Sequence, residues 1–293
     1  MAFKRIIYQE AEPGIIKIMM NRPEKRNAMD PLMLDELEEA WTQAAYDEDV
    51  RVIIYGGTGK DFCSGHDLSD QREEARKGTR VRKINDTRLT GVEGRLKKED
   101  YVYLNQAYTV RNIGKPTIAM VQGNCVGAGW MAAAVCDLIV ASDDAQFINP
   151  MLRMATGATE ILFEAYDLGF RKAKEILWTG EPVSAQEGKE LGFISRVATR
   201  ENLEEETLNL ARRISMNMPI AVSLIKKSIN QAWDLMGQRS AWEYQLLIHQ
   251  LTHASDENKT WRDGRRATAM KEGGVKEMLR ARDSKFKEAG GKY

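Results

Sequence analysis

The stretch Gly123-Asn124-Cys125-Val126-Gly127-Ala128-Gly129 constrains this chain most, because it sets small residues between two apolar runs, 116–121 and 138–141. Each run has the length of a buried strand. The small residues ahead of Gly129 predict a tight strand-to-helix turn with backbone N–H groups pointing outward at a helix N-terminus. Such a turn suits negative charge developing on a bound carbonyl oxygen. A residue able to move protons is expected just after it, yet Trp130 and Met131 follow. The frame of an enzyme site is legible; its acid/base pair is not.

At 293 residues the chain can bury a substantial core, as one large domain or as a domain with a helical appendage. Acidic and basic residues balance at 43 each, which argues against nucleic acid or an anionic membrane as main partner. No stretch is apolar enough for a membrane span, and no apolar signal core follows the N-terminal Lys4-Arg5. Cys63, Cys125 and Cys136 are odd in number and widely spaced, which suits reduced thiols in a cytoplasmic protein better than a disulfide framework.

Residues 6–9 and 15–20 read as strands joined by Glu12-Pro13-Gly14, a hairpin. Asp30-Pro31 predicts a helix start, Asp as N-cap and Pro in the first turn, with Met33, Leu34, Leu37 and Ala40 on its apolar face. Residues 52–55 form a further strand. From 69 to 100 the periodicity lapses, with ten Lys/Arg against seven Asp/Glu, as in a solvated insertion. Helical spacing returns over 101–113. The β–α–β–α–β order from 52 to 141 implies right-handed crossovers and largely parallel pairing. Beyond 150 the chain reads as mainly helical, over 160–168, 171–178, 185–191, 203–216, 221–236 and 240–253, with an extended segment near 193–197.

Seven segments occur in the order typical of the crotonase, or enoyl-CoA hydratase/isomerase, superfamily: Asn21-Arg22-Pro23…Asn27-Ala28, Cys63-Ser64-Gly65-His66-Asp67-Leu68, Lys115-Pro116-Thr117-Ile118-Ala119, the glycine turn, Cys136-Asp137-Leu138, Ala145-Gln146-Phe147 and Thr179-Gly180-Glu181…Ala185. The chain resembles that superfamily from about residue 6 to 232. The resemblance implies an α/β fold, a spiral of stacked ββα turns over 1–200 interrupted by the 69–100 insertion. It also implies a helical region over 201–293 used in assembly of a homotrimer or a hexamer. It further implies an acyl-CoA ligand, with coenzyme A part of the substrate and no separate cofactor, and an oxyanion hole from the amides of His66 and Ala128. Lys25 and Arg26 match positions where the family places cations near the nucleotide phosphates, and Ser64 and Gly65 match backbone presented to the adenine. Arg262, Arg265 and Arg266 are further phosphate candidates. Gly127, Trp130, Met131, Asn149 and Met151 complete the expected substrate pocket.

The resemblance fails at the chemistry. Hydratases of this family carry one glutamate after the glycine turn and another after the next loop's proline; here those positions are Met131 and Met151. A thioether is no general acid or base near neutral pH. Glu160 and, one turn later on the same predicted helix face, Glu164 are the replacement candidates. Asp67 and Asp137 read as structural, and Asn149 can bind a hydroxyl but cannot take its proton. His249 and His253 are one helical turn apart, but the HExxH pattern and a third ligand are missing, so no metal is expected. Met131, Met151 and Met154 suit a soft apolar wall around an acyl group. The leading expectation is an enoyl-CoA hydratase-like lyase with a relocated acid/base. The alternatives are a hydrolase or C–C-cleaving enzyme on a cyclic or branched acyl-CoA, and a non-catalytic acyl-CoA-binding protein.

Overall fold

The computed structural model describes residues 3–69 and 91–291; most of the expected 69–100 insertion lies outside the described residues. Strands β1 (Ile6–Glu12) and β2 (Ile15–Met20) form the antiparallel hairpin, with Gly14 at φ +77° in its turn, a conformation open to glycine at little cost. Next come β3 (Val52–Gly57), β4 (Thr117–Val121), β5 (Asn124–Val126), β6 (Leu138–Ser142), β7 (Gln146–Ile148), β8 (Val183–Ser184) and β9 (Arg196–Ala198). The main sheet runs β1-β2-β3-β4-β6-β9, parallel from β2 onward; β5-β7-β8 form a second, smaller sheet. Every residue of β2, β3 and β4 is buried, as covered parallel strands require.

The helices are α1 (Pro31–Tyr46), α2 (Gly91–Glu99), α3 (Asn105–Asn112), α4 (Ala128–Ala134), α5 (Glu164–Asp167), α6 (Phe170–Thr179), α7 (Ala185–Leu191), α8 (Leu203–Ser215), α9 (Pro219–Leu235), α10 (Gln238–Ala254), α11 (Asp256–Thr260) and α12 (Ala267–Glu288). Asp30 caps α1 as the sequence requires, accepting from Met33 N at 2.8 Å. A π-helical turn over Asp100–Leu104 joins α2 to α3. Trp41, Tyr55 and Phe62 meet edge to face on one side of the sheet, with centroids 5.4 and 5.6 Å apart. On its other side, Ile15, Val52, Ile54 and Ile118 pack with Leu203 and Ala211 of α8. Among the described residues no helix is long and apolar enough to cross a membrane.

One predicted helix is largely absent. Of 160–168 only α5 is helical, and Glu160 lies in irregular backbone. The reason is local competition. Gln245 donates to the Thr159 carbonyl at 2.9 Å, and the Thr159 hydroxyl donates to Ile161 O at 3.1 Å. These bonds engage groups that a helix ladder would use. Glu160 and Glu164 therefore do not share a helix face, contrary to the spacing argument.

Candidate active site

Asn27 is the knot under the site. It adopts φ 53°, accepts from Arg22 N at 2.9 Å and donates to the carbonyls of Thr58 at 2.8 Å and Asp61 at 3.0 Å. Ser64 N then donates to Arg26 O at 3.0 Å, and Val126 N to Cys63 O at 2.9 Å. These bonds press the loop carrying His66 against the glycine turn. Only glycine fits the contact: a Cβ on Gly129 would fall 2.5 Å from Cys63 O, and one on Gly65, at φ +91°, would lie 3.0 Å from Val126 O. Ala128 opens α4, whose first N–H groups have no carbonyl one turn earlier within the helix.

Between these loops, α2, the π turn, α10 and the end of α11 lies a cavity of about 700 Å³. Its inner wall includes His66, Glu99, Tyr103, Met151, Glu160 and His249; Arg95, Lys97, Lys98, Arg262 and Arg266 add positive charge to its lining. The His66 ring stacks on Tyr103, centroids 4.4 Å apart at 23°. Its Nδ1 is 3.8 Å from Glu160 Oε1. Glu160 is 3% exposed, and its Oε2 has no hydrogen-bond partner among the described residues. His249 Nε2 also lies 4.0 Å from the same Oε1, 3.6 Å from Glu99 Oε2 and 3.1 Å from His253 Nε2.

Helix α10 fixes the segment that carries Glu160. Besides the Gln245 bond, Thr252 Oγ1 accepts from Gly157 N at 2.8 Å, and His249 Nδ1 meets Ala158 O at 3.1 Å. Ala155 and Ala158 take left-handed φ values of 55° and 60°, strained for residues with a Cβ. Burial, then the Glu160 charge, raises the pKa of Glu99. Burial and neighbouring His249 push His253 down to about 4.

The structure separates the predicted site residues. His66, Met151, Met154 and Glu160 line the cavity, as do Arg262 and Arg266; Arg265 instead donates to Ser284 Oγ at 2.6 Å. Ala128 and Met131 line a small apolar recess of about 30 Å³ that shares Met29, Leu34 and Tyr103 with the cavity. Gly127 backs the wall, a Cβ there lying 3.7 Å from Met151 Sδ. Trp130 lines neither space. It is fully buried, its ring centroid 5.4 to 5.8 Å from those of Phe147, Phe163 and Phe193, so its proposed substrate contact is replaced by core packing. Asn149 and Glu164 also lie outside the cavity lining. They are buried and bonded to each other at 2.6 Å, and burial pushes Glu164 up to about 7. Lys25 and Arg26 are exposed on the neighbouring loop, Arg26 3.7 Å from Asp61. Ser64 and Gly65 occupy the interlocked loop beneath.

The residues read as structural are so placed. Although burial raises the pKa of Asp67, bonds from Ser69 and Arg22 hold it below the usual carboxylate range. Asp137 accepts from Thr117 and from Lys226 at 2.8 Å. All three cysteines are buried, and burial pushes the Cys63 and Cys136 thiols up to about 12, far from thiolate reactivity. Sequence reasoning missed Glu99 and Tyr103, which sit at the end of a seemingly solvated insertion and in a helix with no motif. The His249/His253 pair was the one available signal for that wall.

The sequence profile of the enoyl-CoA hydratase/isomerase family matches residues 10–272. EchA13 of Mycobacterium tuberculosis, designated a candidate enoyl-CoA hydratase, is 38% identical over 259 residues, covering 86% of this chain and 81% of that protein. The crystal structure of a probable enoyl-CoA hydratase from Mycobacterium thermoresistibile superposes with a TM-score of 0.76 at 39% identity, over 85% of this chain and 97% of that one. An enoyl-CoA hydratase/isomerase from Xanthobacter autotrophicus Py2 superposes with a TM-score of 0.81 at 28% identity, over 97% and 99%. With the parallel sheet, the glycine turn and the cavity above it, these likenesses show that the chain belongs to the enoyl-CoA hydratase/isomerase family of the crotonase superfamily.

Proposed function

We propose that the protein is an acyl-CoA enzyme that stabilises a thioester enolate between the amides of His66 and Ala128, with Glu160 as its acid/base. The carrying observation is Glu160 itself: a buried carboxylate on the cavity wall, one oxygen without a hydrogen-bond partner among the described residues, beside the loop that holds His66. Each amide donor contributes roughly 3 kcal/mol to an oxyanion in a water-poor site. With an enoyl thioester, Glu160 takes a proton from water as its oxygen adds to the β-carbon. The resulting acid returns a proton to the α-carbon as the enolate collapses. One carboxylate then serves both transfers, which compensates for methionine at positions 131 and 151. The cationic lining from Lys97, Lys98, Arg262 and Arg266 suits the coenzyme's phosphates, and we read coenzyme A as part of the substrate, with the protein working in the cytoplasm.

Hydrolysis or C–C cleavage of a cyclic or branched acyl-CoA uses the same carboxylate and oxyanion hole. A non-catalytic acyl-CoA binder is favoured by Met151 on the cavity wall. Mass spectrometry of protein incubated with saturated, unsaturated and cyclic acyl-CoAs in H2O and D2O separates the three. Gain of water by an unsaturated thioester supports hydration, loss of CoA or ring opening of a cyclic thioester supports the hydrolase or C–C-cleaving enzyme, and binding without any mass change across the panel supports the binder.

Exposed Ile220, Leu224, Ile225 and Ile229 along α9, with Tyr244, Leu247 and Leu251 on α10, favour a homo-oligomer. We assign this apolar surface to trimer assembly, alone or within a hexamer.

A further inference from the structure

We infer that Glu99, His249 and His253 form a binding site for a divalent transition-metal ion of the zinc class, on the wall of the acyl cavity. The sequence offered only the histidine pair on α10; the third ligand, Glu99, arrives from the end of α2, far away in the chain. Their ligand atoms all lie within 4.8 Å of one another. A tetrahedral ion with bonds of about 2.0–2.1 Å spaces its ligands by about 3.3 Å. His253 Nε2 and His249 Nε2 are 3.1 Å apart, and His249 Nε2 and Glu99 Oε2 are 3.6 Å apart, so small side-chain shifts seat the ion.

The surroundings orient these groups. His249 Nδ1 meets the Ala158 carbonyl at 3.1 Å, which places the ring proton there and turns the lone pair of Nε2 toward the cluster, the tautomer a metal requires. The backbone at Ala158 is held at φ 60° where it presents that carbonyl. Gln250 donates to Glu99 and fixes its carboxylate. Glu160 Oε1 stands 4.0 Å from His249 Nε2, and its buried Oε2, without a hydrogen-bond partner among the described residues, gives the cluster a second carboxylate. Arg95 and Arg262 lie near His253 and oppose a cation. Lys98 adds a further positive charge near Glu99, whereas the carboxylates of Glu99 and Glu160 against His249 favour a cation. Two histidines and one glutamate leave a coordination position open, as catalytic zinc sites do, and here all three ligand residues line the cavity. That position takes a water or an oxygen of the bound acyl group.

The inference goes beyond the proposed enolate chemistry, and its test reads metal and not turnover. Untagged full-length protein is stripped with chelator, dialysed and titrated with Co2+ while absorbance is recorded, and Zn2+ content is measured by mass spectrometry after desalting. His253→Gln and Glu99→Gln are titrated in parallel, with circular dichroism confirming their fold. The inference expects about one ion per chain, a visible d–d band, and affinity weakened on the order of 100-fold or more in each variant. Absence of saturable binding in the wild type overturns it, and so does binding that both folded variants retain, which would mark an adventitious ion only. A variant that fails to fold is replaced by His253→Asn, read by the same criteria.

Discussion

Glu160 Oε1 lies 3.8 Å from His66 Nδ1, and that imidazole is stacked flat on Tyr103. The loop chosen for its backbone amide thus also sets an aromatic sandwich against the candidate base. The stack limits the ring's rotation.

Replacing Glu160 by Gln keeps the shape and removes the proton acceptor. Turnover of the active acyl-CoA is expected to fall about 10²–10⁴-fold, with thioester binding, measured by calorimetry, largely retained. Wild-type turnover in this variant would eliminate Glu160 as the base.

Glu164 links stability to pH. Its carboxyl has an ordinary value of 4.5 and is pushed up to about 7 by burial in the folded chain. Between these values the folded state holds a proton that the unfolded state has released, so stability falls as pH rises through the window. The loss is on the order of 3 kcal/mol across it. Asp167, pushed up to about 8 by burial and the Glu164 charge, acts in the same direction. Urea unfolding at pH 5 and at pH 8 is expected to show a shallower decline in Glu164→Gln, whose amide still accepts from Asn149. An unchanged slope would assign the pH dependence elsewhere.

Gly129→Ala reverses an ordinary sign. Within a helix this change gains about 1 kcal/mol of propensity, but here the new Cβ meets Cys63 O at 2.5 Å. A net loss of about 1–3 kcal/mol is expected in thermal unfolding, together with weakened acyl-CoA binding because the two loops are forced apart.

The exposed side chains of α9 and α10 predict the assembly. Light scattering after size exclusion is expected to give a trimer or a hexamer for the wild type and a smaller species for Leu224→Glu combined with Leu247→Glu. A monomeric wild type would refute this assignment.

Much of the scaffold was legible because its signals are local. Asp30-Pro31 marks the start of α1, and the apolar runs mark β3, β4 and β6. The ordered motifs from Asn21 to Ala185 set the spiral. The site was less legible because it is assembled from distant pieces. Glu160 was singled out by elimination, but the helix drawn through it ignored Gln245, a residue far along the chain that engages the Thr159 carbonyl. Trp130 sits beside the glycine turn in sequence yet faces Phe147 and Phe163 in space, since successive helical residues point in different directions. Glu99 has meaning only once α2 is laid against α10.

Because Gln245, His249 and Thr252 on one helix hold the segment from Gly157 to Thr159, the wall that carries Glu160 is braced from outside the ββα spiral. Selection can therefore retune this carboxylate from α10 while the glycine turn and the strands stay untouched.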